Sequence, residues 1–170
     1  MTDHTPMPEK PEVEIVPFEL KHQPMVDDLW LEIGKEFEEP IVTANTKPLK
    51  ELSRLSNRYY WVALADNKVI GTIGIVFLKD NVGELKSFFV SKLFRGEDYE
   101  VSKKLFQTIT FWAMAHNIVT IYLGTMNQFA TAQAFYIKNG FTEITKNQLP
   151  HDYIINPVEE LFYKKELAFE

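Results

Sequence analysis

Three β-type runs in succession, followed at once by a helix and one more short apolar run, constrain this chain more than any other feature. "YYWVALAD" (59–66) and "KVIGTIGIVFLK" (68–79) meet at Asp66–Asn67, and Asp80–Asn81 passes the second run to "VGELKSFFV" (Val82–Val90). Asp and Asn at such joints supply tight-turn chemistry, so the three runs predict a meander. Leu105, Ile109, Trp112 and Ala113 then share one face of a helix of about four turns. "TIYLGT" (Thr120–Thr125) follows as a short buried strand. The segment from Gly83 to Thr125 therefore predicts a strand–helix–strand crossover. In such a unit a ligand sits at the C-terminal end of the first strand, against the start of the helix.

The flanks complete the order. "VEIVPF" (Val13–Phe18) alternates as a first strand. In "QPMVDDLWLEIGKEF" (Gln23–Phe37), Met25, Val26, Leu29, Trp30, Ile33 and Phe37 recur at helical spacing, with Pro24 suited to the first turn. "KPLKELSRLSN" (Lys47–Asn57) reads as a second helix. "TAQAFYIKNG" (Thr131–Gly140) reads as a helix stopped by Asn139–Gly140, "FTEI" as a strand, and "EELFYKKEL" as the last strand. The order β-α-α-β-β-β-α-β-α-β-β predicts an α/β (α+β) domain, with a central mixed, mostly antiparallel sheet of six to seven strands flanked by about four helices.

Length and composition narrow the functional classes. A chain of 170 residues suits one domain over 12–170, preceded by a Pro-rich, polar, flexible tail at 1–11. With no cysteine, a thiolate nucleophile and a cysteine zinc site are excluded, and a reducing, cytoplasmic location is expected. His4, His22, His116 and His151 are not spaced as metal ligands, so no metal is expected. A net charge of −6 without a basic stretch speaks against nucleic acid and suits an amine substrate. No apolar run approaches the roughly 18 residues of a membrane span, and the N-terminus lacks the apolar core of a signal peptide, so no membrane association is expected.

"ELKSFFVSKLFRGEDYEVSKKLF" and "ATAQAFYIKNGF" carry a resemblance. The chain resembles the GNAT superfamily of acetyl-CoA-dependent N-acyltransferases over roughly Val13 to Leu167. That family pairs a strand ending in Val and an Arg/Gln-x-x-Gly-x-Gly/Ala loop that opens a helix with a later Ala-x-x-x-Tyr…Gly-Phe. Here Val90, Arg95, Gly96 and then Ala132, Tyr136, Gly140 and Phe141 stand in place. The resemblance implies the GNAT fold and acetyl-CoA as co-substrate, with Phe88, Phe89 and Val90 beside the pantetheine arm. It places Arg95, Gly96, Tyr99, Glu100, Val101 and Ser102 at the pyrophosphate, where helix N–H groups and the helix dipole favour an anion. The loop departs from the pattern: it is about two residues longer, and Glu97, Asp98 and Glu100 replace glycines. Tyr99 and Val101–Ser102 fit a branch of the family with such a lengthened loop. The plainer reading of the acidic residues is the first turn of an amphipathic helix.

Acetyl transfer to an amine needs a base, a stabilised oxyanion and a proton for the leaving thiolate. Glu84 matches the position of catalytic glutamates in GNAT histone acetyltransferases. It stands six residues before Val90, so the two are expected on one face of the strand. The alternative is a surface residue paired with Lys86. Tyr136 matches the family's proton donor to the coenzyme thiolate; the alternative is a core tyrosine. Asn127 contacts the cofactor or orients that tyrosine, or is a plain loop residue. His151, Asp152 and Tyr153 contact the acceptor or, in the plainer reading, form a surface loop, and Trp30, Phe37 and 38–47 read as core or lid. The expected function is acetyl transfer to a primary amine of a small molecule or peptide. The rivals are a non-catalytic GNAT-fold acyl-CoA sensor and a protein-interaction domain. A homodimer is compatible with the resemblance.

Overall fold

The computed structural model describes residues 10–43 and 46–167. Residues 1–9 of the expected tail lie outside the described residues; Lys10 pairs with Asp98 at 3.4 Å and lies over the Tyr99 ring. Among the described residues, seven strands form one sheet: β1 (Val13–Pro17), β2 (Arg58–Ala65), β3 (Lys68–Leu78), β4 (Val82–Val90), β5 (Thr120–Thr125), β6 (Thr142–Ile144) and β7 (Leu161–Glu166), in spatial order β1-β2-β3-β4-β5-β7-β6. The helices are α1 (Gln23–Gly34), α2 (Leu49–Leu52), α3 (Val101–Ala115) and α4 (Ala130–Lys138). The expected element order is present throughout.

Local chemistry accounts for the boundaries. Asp66, Asn67, Asp80 and Asn81 all take left-handed φ angles, between 50° and 63°, at the two turns of the meander. Such paired left-handed residues match the twist of antiparallel strands. The second helix is far shorter than the expected 47–57. Leu49 is its sole fully buried residue, and the serines that follow compete for backbone partners, as when the Ser53 hydroxyl donates to the Lys50 carbonyl at 3.4 Å.

The sheet separates two cores. On one face α3 buries Val101, Leu105, Ile109 and Ala113 against Trp61, Ile73, Leu85 and Val90, and α4 adds Tyr136. On the other face α1 and α2 bury Val26, Leu29, Trp30, Ile33 and Leu49 against Tyr60, Val62 and Val69.

A β-bulge in β4 corrects one expectation. The β3–β4 register passes from Gly74↔Lys86 to Thr72↔Phe89, so β4 carries one extra residue. The bulge lies at Ser87, whose φ is +52°. An extra residue inverts the alternation of side chains. Leu85 and Val90, five apart, therefore both face α3, whereas Phe89 packs toward α1. Glu84 points opposite to its neighbour Leu85. It lies on the α1 face, away from Val90, not on a shared face.

Candidate active site

The site begins where two neighbouring strands part. β4 and β5 are parallel, paired only at Val82↔Thr120, Gly83↔Ile121 and Glu84↔Tyr122. Beyond Glu84, β4 continues to Val90 without β5 beside it, while β5 turns its other edge to β7. Among the described residues, the backbone groups of Leu85–Val90 on that side have no strand partner. Buried backbone groups demand partners, so this open edge is ready for an extended ligand.

The loop after β4 leads to a helix with an open N-terminus. Gly96 has φ +103°, a conformation other residues rarely adopt, and Glu100 has φ +51° as the residue before α3. No side chain caps α3. Its first-turn N–H groups are thus free for an anion, and the helix dipole adds to the attraction. Glu97, Asp98 and Glu100 are all exposed. Glu100 lies 3.9 Å from the Lys103 ammonium. Within the loop the Phe94 and Tyr99 rings meet at 4.8 Å, tilted by 54°. Arg95 braces it: Nε donates to the Val90 carbonyl at 2.9 Å, and Nη1 and Nη2 donate to the two Glu36 oxygens at 2.6 and 2.8 Å.

A charged cluster lies on the α1 face where the strands begin to part. Glu84 is 3% exposed. Its Oε1 lies 2.6 Å from Lys86 Nζ, sealed from solvent and without a well-directed hydrogen bond. Lys86 also donates to Glu159 Oε1 at 3.1 Å, and the Tyr153 hydroxyl donates to Glu159 Oε2 at 2.7 Å. Burial holds the Glu84 carboxyl above the usual carboxylate range, with Lys86 opposing. Burial works against the Lys86 charge too, but Glu84 and Glu159 outweigh it and hold its ammonium above its usual range. One ammonium shared by two carboxylates leaves the cluster net negative.

Tyr136 stands on the opposite face, among Phe88, Phe135, Phe141 and Tyr163, with ring centroids 5.5–6.3 Å away. Among the described residues its hydroxyl forms no hydrogen bond. Burial pushes its phenol far above the usual tyrosine range, so it stays protonated. Glu84 and Tyr136 therefore lie on opposite faces of the sheet, near the point where β4 and β5 stop pairing.

Residues 24–141 match the family described as "Acetyltransferase (GNAT) family". The chain belongs to that family. A GNAT-family acetyltransferase of Staphylococcus aureus Mu50 superposes with a TM-score of 0.84 at 29% identity, covering 92% of this chain and 99% of that one. The paia N-acetyltransferase of Thermoplasma acidophilum, solved with coenzyme A, shares the fold at a TM-score of 0.71 and 17% identity, covering 91% and 99%. The N-acetylaspartate synthetase of Mus musculus is 29% identical over 112 residues, which are 65% of this chain and 36% of that protein. The chain thus spans little more than a third of the curated relatives it matches.

The remaining expected site residues are placed as follows. Phe89 packs edge-on against Trp30 and Phe129, at 5.7 and 6.1 Å. Asn127 donates through Nδ2 to Glu160 at 2.7 Å and, among the described residues, forms no hydrogen bond with Tyr136. Trp30 is core, whereas Phe37 meets Phe129 at 4.8 Å and Glu39 exchanges two hydrogen bonds with Gln128, so the segment after α1 straps the gap. Tyr153, expected in a surface loop, is 7% exposed and belongs to the charged cluster.

Glu159 was not among the expected site residues, yet a signal for it lay in "YLGT". A glycine inside a strand marks a close approach. A Cβ on Gly124 would overlap the Glu159 carboxylate and stand 2.7 Å from the Tyr153 hydroxyl. Gly124→Ala is expected to displace that loop and destabilise the fold by about 1–3 kcal/mol, as overpacking does. Denaturant unfolding measures it.

Proposed function

We propose that this GNAT-family protein carries the acetyl group of acetyl-CoA to a primary amine of a small molecule or peptide, by direct attack of the amine on the thioester. One observation carries the reading: β4 and β5 stop pairing at Glu84↔Tyr122, between an uncapped helix N-terminus and a buried carboxylate. Acetyl-CoA binds along the free edge of Leu85–Val90, its pyrophosphate at the N–H groups of Val101–Lys103. The acceptor enters from the α1 face. Glu84 takes a proton from its ammonium, directly or through water, and a carboxyl lifted by burial is suited to this near neutral pH. The amine nitrogen then bonds to the carbonyl carbon, backbone N–H groups of β4 hold the oxyanion, the nitrogen gives up its second proton to solvent, and the C–S bond breaks to release the coenzyme as its thiolate, which takes a proton from water. Tyr136 donates a hydrogen bond to the departing thiolate. Its raised pKa makes full proton transfer to sulfur uphill, so its contribution is the hydrogen bond itself.

The cluster also selects the acceptor. Lys86 is already held by two carboxylates, and Glu38 and Glu39 add exposed negative charge on the strap. Neutral or basic amines are favoured, and acidic amino acids meet repulsion. Free-thiol release from acetyl-CoA against a panel of monoamines, diamines, aspartate and glutamate tests this. The diamines and monoamines are expected to turn over fastest; aspartate as the best acceptor would reverse the charge argument.

The loop carboxylates give a further expected result. Exchanging Glu97, Asp98 and Glu100 together for Gln, Asn and Gln is expected to tighten coenzyme A a few-fold at low salt, and hardly at all at high salt, because exposed charges are screened. Calorimetry at two ionic strengths reads this directly. Unchanged affinity at low salt would mean that the three side chains point away from the phosphates.

A further inference from the structure

The proton, thiolate and acceptor roles above leave one buried polar chain unused. Thr72 on β3 is completely buried. Its hydroxyl accepts from the Trp30 indole Nε1 at 3.1 Å and donates to the Ser87 carbonyl at 2.7 Å. Ser87 is the bulged residue of β4, a non-glycine at φ +52°. A left-handed non-glycine residue is strained and persists only where its surroundings hold it. The Trp30–Thr72–Ser87 chain is that hold. It fixes the bulge from the α1 side, at the stretch of β4 left free by β5.

We propose that Thr72 is a positioning residue for acetyl transfer: its hydroxyl, fixed by Trp30, locks the Ser87 bulge and thereby aims the free backbone groups of β4 at the thioester. This rests on the acetyl-transfer reading above. A hydroxyl that neither coenzyme nor acceptor reaches sets the geometry of the oxyanion donors. Without the bulge, β4 keeps strict alternation and those groups turn elsewhere. Small misplacements of positioned groups are enough to slow a reaction substantially.

Thr72→Val keeps the shape and removes the hydroxyl. Three readouts test it. In the crystal structure of the free variant, Ser87 is expected to return to extended φ or the bulge to move. Calorimetry is expected to show the wild type preferring acetyl-CoA over free coenzyme A, and the variant losing about 3–10-fold of that preference, the worth of one hydrogen bond. The maximal rate is expected to fall about ten-fold, with the KM for the amine little changed. Thr72→Ser restores the hydroxyl and should recover all three. An unmoved bulge in Thr72→Val, or a Thr72→Ser variant as impaired as Thr72→Val, overturns the proposal. If Thr72→Val does not fold, Trp30→Phe removes the outer donor and trims the ring packed against Phe89: a smaller loss of acetyl-CoA preference together with a shifted Ser87 bulge supports the chain, and an unmoved bulge overturns it. If the wild type binds neither acetyl-CoA nor coenzyme A, the acetyl-transfer reading falls. The position of the bulge in the free variant still decides whether Thr72 holds β4.

Discussion

Glu84→Gln is expected to lower the maximal rate by about 10²–10⁴-fold, the contribution of a positioned general base. The deficit should be largest at low pH, where the acceptor is most protonated, and shrink at high pH as free amine becomes abundant. A deficit independent of pH would make Glu84 a positioning residue. Stability should move the other way. Burial raises the folded-state pKa of Glu84 above its unfolded value. The folded protein then binds that proton more tightly, so the contribution of Glu84 to wild-type stability is greatest below the ordinary carboxylate range and falls as pH rises through the raised value. Gln does not titrate. The melting temperature of Glu84→Gln relative to wild type is therefore expected to increase with pH, while Lys86 keeps its partner Glu159. A thermal melt series from acidic to neutral pH checks this.

Tyr136→Phe is expected to reduce the maximal rate about 10²-fold, comparable with removing one donor from a developing negative charge. Acetyl-CoA affinity should be nearly unchanged, because the ring keeps its packing among Phe88, Phe135, Phe141 and Tyr163. Stability should not fall either, since the hydroxyl has no partner to lose among the described residues. Substrates with a more acidic thiol as leaving group should show a smaller deficit, because they need the hydrogen bond less. A Tyr136→Phe variant as fast as wild type with every leaving group would make Tyr136 a packing residue alone.

The fold was legible where one local rule governed each element. Alternation and Asp–Asn turns gave the meander, and Leu105, Ile109 and Ala113 gave the crossover helix. The second helix was overread because apolar spacing at Leu49 and Leu52 continues into residues that the tertiary structure does not bury. The site was legible residue by residue but not in its arrangement. The face of Glu84 was misplaced because the bulge at Ser87 carries no glycine or proline; a serine in left-handed geometry is imposed by Thr72, fifteen positions earlier in the chain. Glu159 joins Lys86 across 73 positions, and such a pair has no local pattern. Gly124 was the one sign of it.

The most direct test is a single turnover with isotope-labelled acetyl-CoA, excess enzyme and a preferred amine, followed by mass spectrometry. Labelled acetyl-amine should appear at the same rate as coenzyme A, in equal amount, while the mass of the chain stays unchanged. Acetyl-CoA that binds but remains intact with every amine would contradict the account and leave a GNAT-fold acyl-CoA sensor.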